Sequence, residues 1–144
     1  MKVISLDPGE THGLCMAESN HNKDWKIIRT DAIKDAELFS LLENEPNVDL
    51  VIYEQYKLYA SKAKAMVNNE FLTVQAIGVI KYICRKRGIP TLKSPTMNKA
   101  FWTNKRLKQL GLYVTIEHKR DAIRHFLFWL YFTAKEASLK DLTL

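Results

Sequence analysis

The sequence predicts an α/β fold: a five-stranded mixed sheet, its first three strands an antiparallel meander, flanked by helices. Three observations carry that prediction. β-rich runs come first and follow one another across turns alone. Later runs alternate with stretches of helical periodicity. One of them, residues 49–54, is almost uniformly apolar, as a strand covered on both faces must be. The chain has 144 residues, 47% of them apolar and 26% charged, which fits a single domain over residues 1–144. A chain of this size buries roughly 68–70% of its unfolded surface and needs neither metal nor disulfide to hold a core.

Residues 2–6 form a short strand that stops at Asp7-Pro8-Gly9, where proline and glycine favour a tight turn, so Asp7 stands at a strand end. Residues 13–18 and 25–30 are two further strands, joined by the polar stretch Ser19-Asn20-His21-Asn22-Lys23, which suits a hairpin. The spacing of Ile33, Ala36, Phe39 and Leu42 predicts a helix over 33–42, stopped by polar residues and Pro46. Residues 49–54 return as a central strand and end on a second carboxylate, Glu54. Residues 61–87 predict a long helix with two apolar stripes, Val67-Phe71-Val74-Gly78 and Ile77-Ile80-Cys84, closed by Gly88 and Pro90. One stripe packs on the sheet and the other stays available. A fifth strand over 90–93, a lysine-rich helix or helical turn over 95–110 and a last helix over 117–137 complete the chain. Connections after the third strand are parallel crossovers. The central strands therefore run the same way, and Asp7 and Glu54 emerge at one edge of the sheet.

Cys15 and Cys84 lie in apolar surroundings without CxxC spacing and read as small core residues rather than zinc ligands or a disulfide. The longest strongly apolar stretch, 126–134, is too short for a membrane span, and the start carries no signal-peptide segment. A soluble protein of a reducing, cytoplasmic compartment is expected. The formal net charge of +6 is regional: residues 57–124 hold 15 Lys and Arg against three acids, and the remainder holds seven against thirteen. Solvated helix faces usually mix signs, so this stretch is expected to be a footprint for a polyanion.

Carboxylates at strand ends are also turn formers and helix caps, which is the plain reading of Asp7 alone. Glu54 follows Leu50-Val51-Ile52-Tyr53 directly, close to the core, where an unpaired charge costs several kcal/mol. It needs a cation, a distant Lys or Arg or a metal. His118 and Asp121 sit three apart at the start of the last helix and share a face, with small Ala122 allowing close approach to the sheet. Asp7, Glu54 and Asp121 together offer the hard oxygen ligands of Mg²⁺ or Mn²⁺, whereas zinc would want more Cys or His. Two such ions roughly 3.5–4 Å apart can bridge a phosphodiester, which favours metal-dependent phosphodiester hydrolysis.

Val3-Ile4-Ser5-Leu6-Asp7-Pro8-Gly9-Glu10-Thr11-His12-Gly13, then Val51-Ile52-Tyr53-Glu54-Gln55, then His118-Lys119-Arg120-Asp121-Ala122 resemble, in order, the three signature segments of RuvC-type Holliday junction resolvases. Those enzymes belong to the ribonuclease H-like superfamily, and the resemblance spans essentially the whole chain. It implies that Asp7 bridges two Mg²⁺ ions, replaceable by Mn²⁺, that Glu54 binds one and that Asp121 binds the other. His118 is implied as a ligand or a proton-transfer group. Lys99 and Lys105 stand where the family carries phosphate-contacting lysines, in a stretch that lacks the glycines of longer relatives. The short length and terse loops look like those of phage-encoded members, which would act in the host cytoplasm. The implied partner is branched DNA, a four-way junction above all, held by a homodimer; the stripe around Val67, Phe71, Val74 and Gly78 is a natural dimer face, and core packing would explain the same residues.

Tyr56 and Tyr59, leading into Lys57, Lys62 and Lys64, combine aromatics and cations suited to unpaired bases and phosphates. Thr11, in the turn after the first strand, joins these contacts. Two half-buried tyrosines in a loop would explain the same residues. The Asp-x-Gly-x-Thr string at Asp7, Gly9 and Thr11 also resembles the phosphate loop of actin-like ATPases, a fold of several hundred residues that the length excludes. The alternatives left open are another ribonuclease H-like nuclease, acting on RNA/DNA hybrid, structured RNA or flap DNA, and a nucleic-acid-binding protein without cleavage activity.

Overall fold

The computed structural model describes residues 1–21, 24–56, 71–96 and 98–134. Five strands, β1 (Lys2–Asp7), β2 (His12–Ser19), β3 (Trp25–Ile33), β4 (Leu50–Glu54) and β5 (Thr91–Ser94), form one sheet in the order β3-β2-β1-β4-β5. The β1/β2 and β2/β3 pairs are antiparallel, and β1/β4 and β4/β5 are parallel. The sheet is therefore the mixed one the sequence predicts.

Its two faces bury different sets of residues. Val3, Cys15, Ile27 and Ile52 face one cluster, completed by Ala122, Ile123, Phe126 and Leu127 of the helix Glu117–Phe128. Ile4, Leu6, Leu14, Val51 and Tyr53 face the other, completed by Leu38 and Leu42 of α1 (Asp35–Asn44) and by Ile80, Ile83 and Cys84 of α2 (Leu72–Arg87). The period of two along each strand makes this division. Cys15 and Cys84 belong to opposite clusters, so the sheet separates the two thiols and both are free. Burial raises both thiols well above their ordinary range, Cys84 to about 11, as for inert core cysteines.

Several boundaries differ from the sequence expectation. Ile33 ends β3 rather than opening a helix, and its buried side chain joins the α1/α2 cluster. The helix begins at Asp35, whose carboxylate accepts a hydrogen bond from His12 Nε2 at 2.5 Å. The 95–110 stretch is two short helices, α3 (Asn98–Phe101) and α4 (Asn104–Gln109), because the Thr103 hydroxyl caps a new start by accepting from the Arg106 N–H. The last helix, α5 (Glu117–Phe128), gives way to a π-helical segment at Trp129–Ala134. Trp25 packs edge-on against both Phe126 and Trp129 there, with centroids at 5.5 and 5.4 Å.

Of the helix predicted over 61–87, α2 covers Leu72–Arg87 and Phe71 stands before it as a non-helical N-cap (φ −93°, ψ 74°), while the left-handed C-cap Gly88 (φ 68°) takes the conformation that glycine adopts most readily. Its sheet side carries Ala76, Ile80, Ile83 and Cys84, while Leu72, Val74, Val79 and Tyr82 are exposed. Val67 of the available stripe lies outside the described residues, as do Lys57, Tyr59, Lys62 and Lys64. Among the described residues no helix is long and apolar enough to cross a membrane.

Candidate functional site

Strand parity decides where the carboxylates point. Val3 and Ser5 of β1 face α5, the Ser5 hydroxyl donating to the Ala122 carbonyl at 2.8 Å, so Asp7, two residues on, points to the same side. Ile52 of β4 faces α5, and so does Glu54. Leu6 pairs with Tyr53 in the parallel β1/β4 register, which sets Asp7 and Glu54 side by side at the carboxyl ends of neighbouring strands. Open α/β sheets hold their ligands at this end.

The amino-terminal turn of α5 closes the corner. Gly13, paired with Asp7 across β1/β2, has no side chain, and a Cβ built there would stand 1.8 Å from the His118 carbonyl oxygen. That close approach brings His118 Nδ1 to 3.0 Å from Asp7 Oδ2. Asp121, 4% exposed, is bound on both oxygens: Arg124 donates to Oδ1 at 2.6 Å and Lys99 Nζ to Oδ2 at 2.7 Å. Asp121 thus joins the corner through its field, which raises the proton affinity of both Asp7 and Glu54.

Glu54 is pushed up to about 7, first by burial and then by the charge of Asp7 and a hydrogen bond with it, with Lys99 opposing. Burial also raises Asp7, against the hydrogen bonds from His118 and Glu54. Two adjacent carboxyls that cannot both ionise freely share a proton, the arrangement that a divalent cation relieves. A ring nitrogen of His125 completes the group: one donor atom each from Asp7, Glu54 and His125 lie within 4.8 Å of one another. Two carboxylates and an imidazole are a fitting donor set for a divalent metal.

The sequence reading did not single out His125, and it counted Arg124 only within the basic stretch 57–124. His125 lies four residues after Asp121 and seven after His118, the spacing of one helix face, and that was its only signal. Its pKa is pushed down to about 4 by burial, helped by Lys99 and Arg124 and opposed by Asp121, so the ring is neutral at pH 7. Arg124 spends its guanidinium on Asp121, the Trp102 carbonyl at 2.7 Å and Asn104 Oδ1 at 2.7 Å, fixing the α3/α4 corner to the site. Arg124→Met strips that clamp and leaves Asp121 buried with only Lys99. The urea midpoint of folding is expected to fall by the equivalent of about 3–5 kcal/mol, the range for breaking a buried ion pair. An unchanged midpoint would show the clamp to be idle.

The remaining sequence candidates among the described residues lie around this corner or on the outer surface. Thr11 Oγ1 accepts from Lys34 Nζ at 2.8 Å in the loop after β1. Tyr56 meets Phe71 edge-on, with centroids at 6.4 Å, and lines a shallow cleft of about 210 Å³ with Gln55, Lys81 and Lys93. Lys105 is exposed on α4. Lys99, half-exposed at its side chain, reaches inward to Asp121 and Glu117.

The sheet order, the flanking helices and a structural likeness over about nine-tenths of the chain give the ribonuclease H-like fold, in the form seen in RuvC-type Holliday junction resolvases. The chain is similar to Thermus thermophilus RuvC in complex with a Holliday junction substrate, with 16% identity and a TM-score of 0.65 over 92% of this chain and 97% of that one. It is similar to the fowlpox virus Holliday junction resolvase, with 11% identity and a TM-score of 0.64 over 91% and 98%. The yeast mitochondrial Holliday junction resolvase aligns at 14% identity and a TM-score of 0.51 over 96% of this chain and 73% of that one. No family profile and no curated protein sequence matches the chain.

Proposed function

We propose that this chain is a single-domain, divalent-metal-dependent endonuclease of the cytoplasm that cuts branched DNA, resolving four-way junctions by paired nicks. The observation that carries the reading is the convergence of Asp7, Glu54, His118 and Asp121 at the carboxyl end of β1 and β4, in a fold shared with junction resolvases. Asp7 would hold two ions, Glu54 one of them and Asp121 the other. Bound Mg²⁺ or Mn²⁺ would activate a water and stabilise the leaving oxygen of the phosphodiester. Glu54 must first give up the proton it shares with Asp7. Lys99 must release Asp121 Oδ2, and its freed ammonium can then neutralise a phosphate. Arg124 stays on Oδ1 and keeps the carboxylate aimed. His118, on Asp7, is placed either to ligate or to move a proton.

Thr11, Tyr56, Lys57, Tyr59, Lys62, Lys64 and Lys105 belong to this reading as the docking surface for the junction arms. The dimer face expected around Val67, Phe71, Val74 and Gly78 would be carried on α2 by exposed Val74 and extended by its exposed neighbours Leu72, Val79 and Tyr82, so that a second copy sets two sites on symmetry-related strands. The test is incubation with matched four-way, three-way, flap, nicked and linear DNA and an RNA/DNA hybrid, in Mg²⁺ and then Mn²⁺. Symmetrical nicks across the four-way junction are expected. Preferred cutting of the hybrid would make the chain a ribonuclease, and binding without cleavage under either ion would remove the enzyme.

The two lysines separate by readout. Lys105→Ala is expected to flatten the slope of log affinity against log salt by about one unit, one phosphate contact, with cleavage at saturation unchanged. Lys99→Ala is expected to slow cleavage at saturating junction. A slope unchanged by Lys105→Ala would take that residue out of the footprint.

A further inference from the structure

We infer that His125 is a metal ligand of this site, giving it a mixed nitrogen and oxygen donor set that prefers Mn²⁺ to Mg²⁺; the inference rests on the nuclease reading and extends it. His125 is 3% exposed and lies on the sheet side of α5, where a purely structural role would favour an apolar residue. One of its ring nitrogens, with a carboxylate oxygen of Asp7 and of Glu54, forms a group whose members are all within 4.8 Å of one another.

The ring is held from behind. Nδ1 is 2.9 Å from Ser94 Oγ and 2.6 Å from the Asn98 side-chain amide, and Asn98 also donates to Ser94 Oγ at 2.8 Å. Ser94 pairs with Glu54 in the β4/β5 register, so the group that orients the imidazole is fixed to the strand that carries a carboxylate ligand. Nδ1 is taken up by Ser94 and Asn98, and Nε2 is the nitrogen left to bind. Metal-bound histidines characteristically have their second ring nitrogen anchored in this way.

The Asn98 amide can set the tautomer of the ring. Its Oδ1 is buried and has no hydrogen-bond partner among the described residues, while its nitrogen faces His125 Nδ1. Turned over, the amide presents Oδ1 to Nδ1, which then donates its hydrogen and leaves the Nε2 lone pair free. That is the tautomer a metal requires. An imidazole among carboxylates suits Mn²⁺ or Co²⁺ better than Mg²⁺, which keeps oxygen ligands and water.

The test uses the purified full chain loaded with Mn²⁺ and reads ¹⁴N coupling to the metal by pulsed electron paramagnetic resonance. His118 is the other imidazole at the corner, so the deciding sample is His118→Asn, which keeps the buried His125 intact. Imidazole coupling is expected to persist there and to vanish in the His118→Asn/His125→Asn double variant. The His125→Asn protein is also expected to bind Mn²⁺ about 10-fold or more weakly, with Mg²⁺ affinity, from competition, changed less. Mn²⁺ bound to His118→Asn without nitrogen coupling, yet lost in Asp7→Asn, overturns the role of His125 and leaves the carboxylate site standing. No Mn²⁺ binding to the unmutated chain overturns both.

Discussion

Glu54→Gln is expected to abolish metal-dependent cleavage and, in metal-free buffer at pH 8, to make the protein more stable. The two effects have one origin. Glu54 stands beside Asp7 and within the field of Asp121, partly desolvated, and its proton affinity is pushed up to about 7 from an ordinary 4.5. A carboxyl raised in the folded state binds its proton more tightly there than in the unfolded chain. Its contribution to stability is therefore full below the unfolded value and is lost as pH rises from about 4.5 through about 7. Glutamine keeps the shape and a hydrogen bond to Asp7 without the charge. Thermal melts in a chelator should show Glu54→Gln above the unmutated protein by several degrees at pH 8 and level with it near pH 4.5.

Mg²⁺ or Mn²⁺ should raise the melting temperature of the unmutated protein at pH 8 and do so far less for the variant, because a ligand stabilises only the state that binds it. Cleavage of a four-way junction should fall by about 10³-fold or more, about 4 kcal/mol of transition-state stabilisation. Junction affinity should remain. Equal stability of the two proteins at pH 8 would mean that the corner does not store the repulsion described, and retained cleavage would remove Glu54 from the site.

What could be read from the sequence, and what could not, follows from the range of the forces involved. The strand ends at Asp7 and Glu54 were legible because turn chemistry and an apolar run mark them locally, and parallel crossovers then force them together. The 33–42 helix was misplaced by two residues because Ile33 satisfies a helical pattern and a strand pattern alike, and only β2 pairing decides. The break at Trp102-Thr103 was legible only as ambiguity between helix and turn. The basic stretch was read too simply. Arg124 is buried on Asp121, Arg87 donates to the carbonyls of Leu42 and Glu45, and Arg120 donates to those of Val114 and Thr115. These cations serve the fold, and the polyanion footprint is left to the others. Glu54, for which the sequence demanded a distant Lys or Arg or a metal, lies in the field of the distant Lys99 and shares a hydrogen bond with Asp7. Contacts between residues far apart in the chain, such as His125 with Ser94, leave no trace in spacing.

Gly13 carries the second large effect. It has no catalytic atom, yet the site is built across it. Alanine there would place a methyl 1.8 Å from the His118 carbonyl oxygen and 3.2 Å from Asp7 Cβ, and the first of these is backbone in the opening turn of α5. Neither side can give cheaply: Gly13 is locked in the β1/β2 register opposite Asp7, and α5 is pinned one turn further on by the bond between Ser5 Oγ and the Ala122 carbonyl. The amino-terminal turn of α5 must therefore tilt away by more than about 1 Å. His118 then leaves Asp7, and Asp121 shifts against Lys99 and Arg124. Displacements of that size between reacting groups cost about 10²-fold in rate. Gly13→Ala should lower cleavage at saturating junction by that factor or more and reduce folding stability by about 1–3 kcal/mol, the usual cost of overpacking. Junction binding and the circular-dichroism spectrum should stay close to those of the unmutated chain, because the displacement falls on the opening turn of α5 while the Ser5–Ala122 bond holds the rest of the helix on the sheet. Gly13→Ala cutting at the unmutated rate would show that the approach of α5 to the strand end is not what assembles the site.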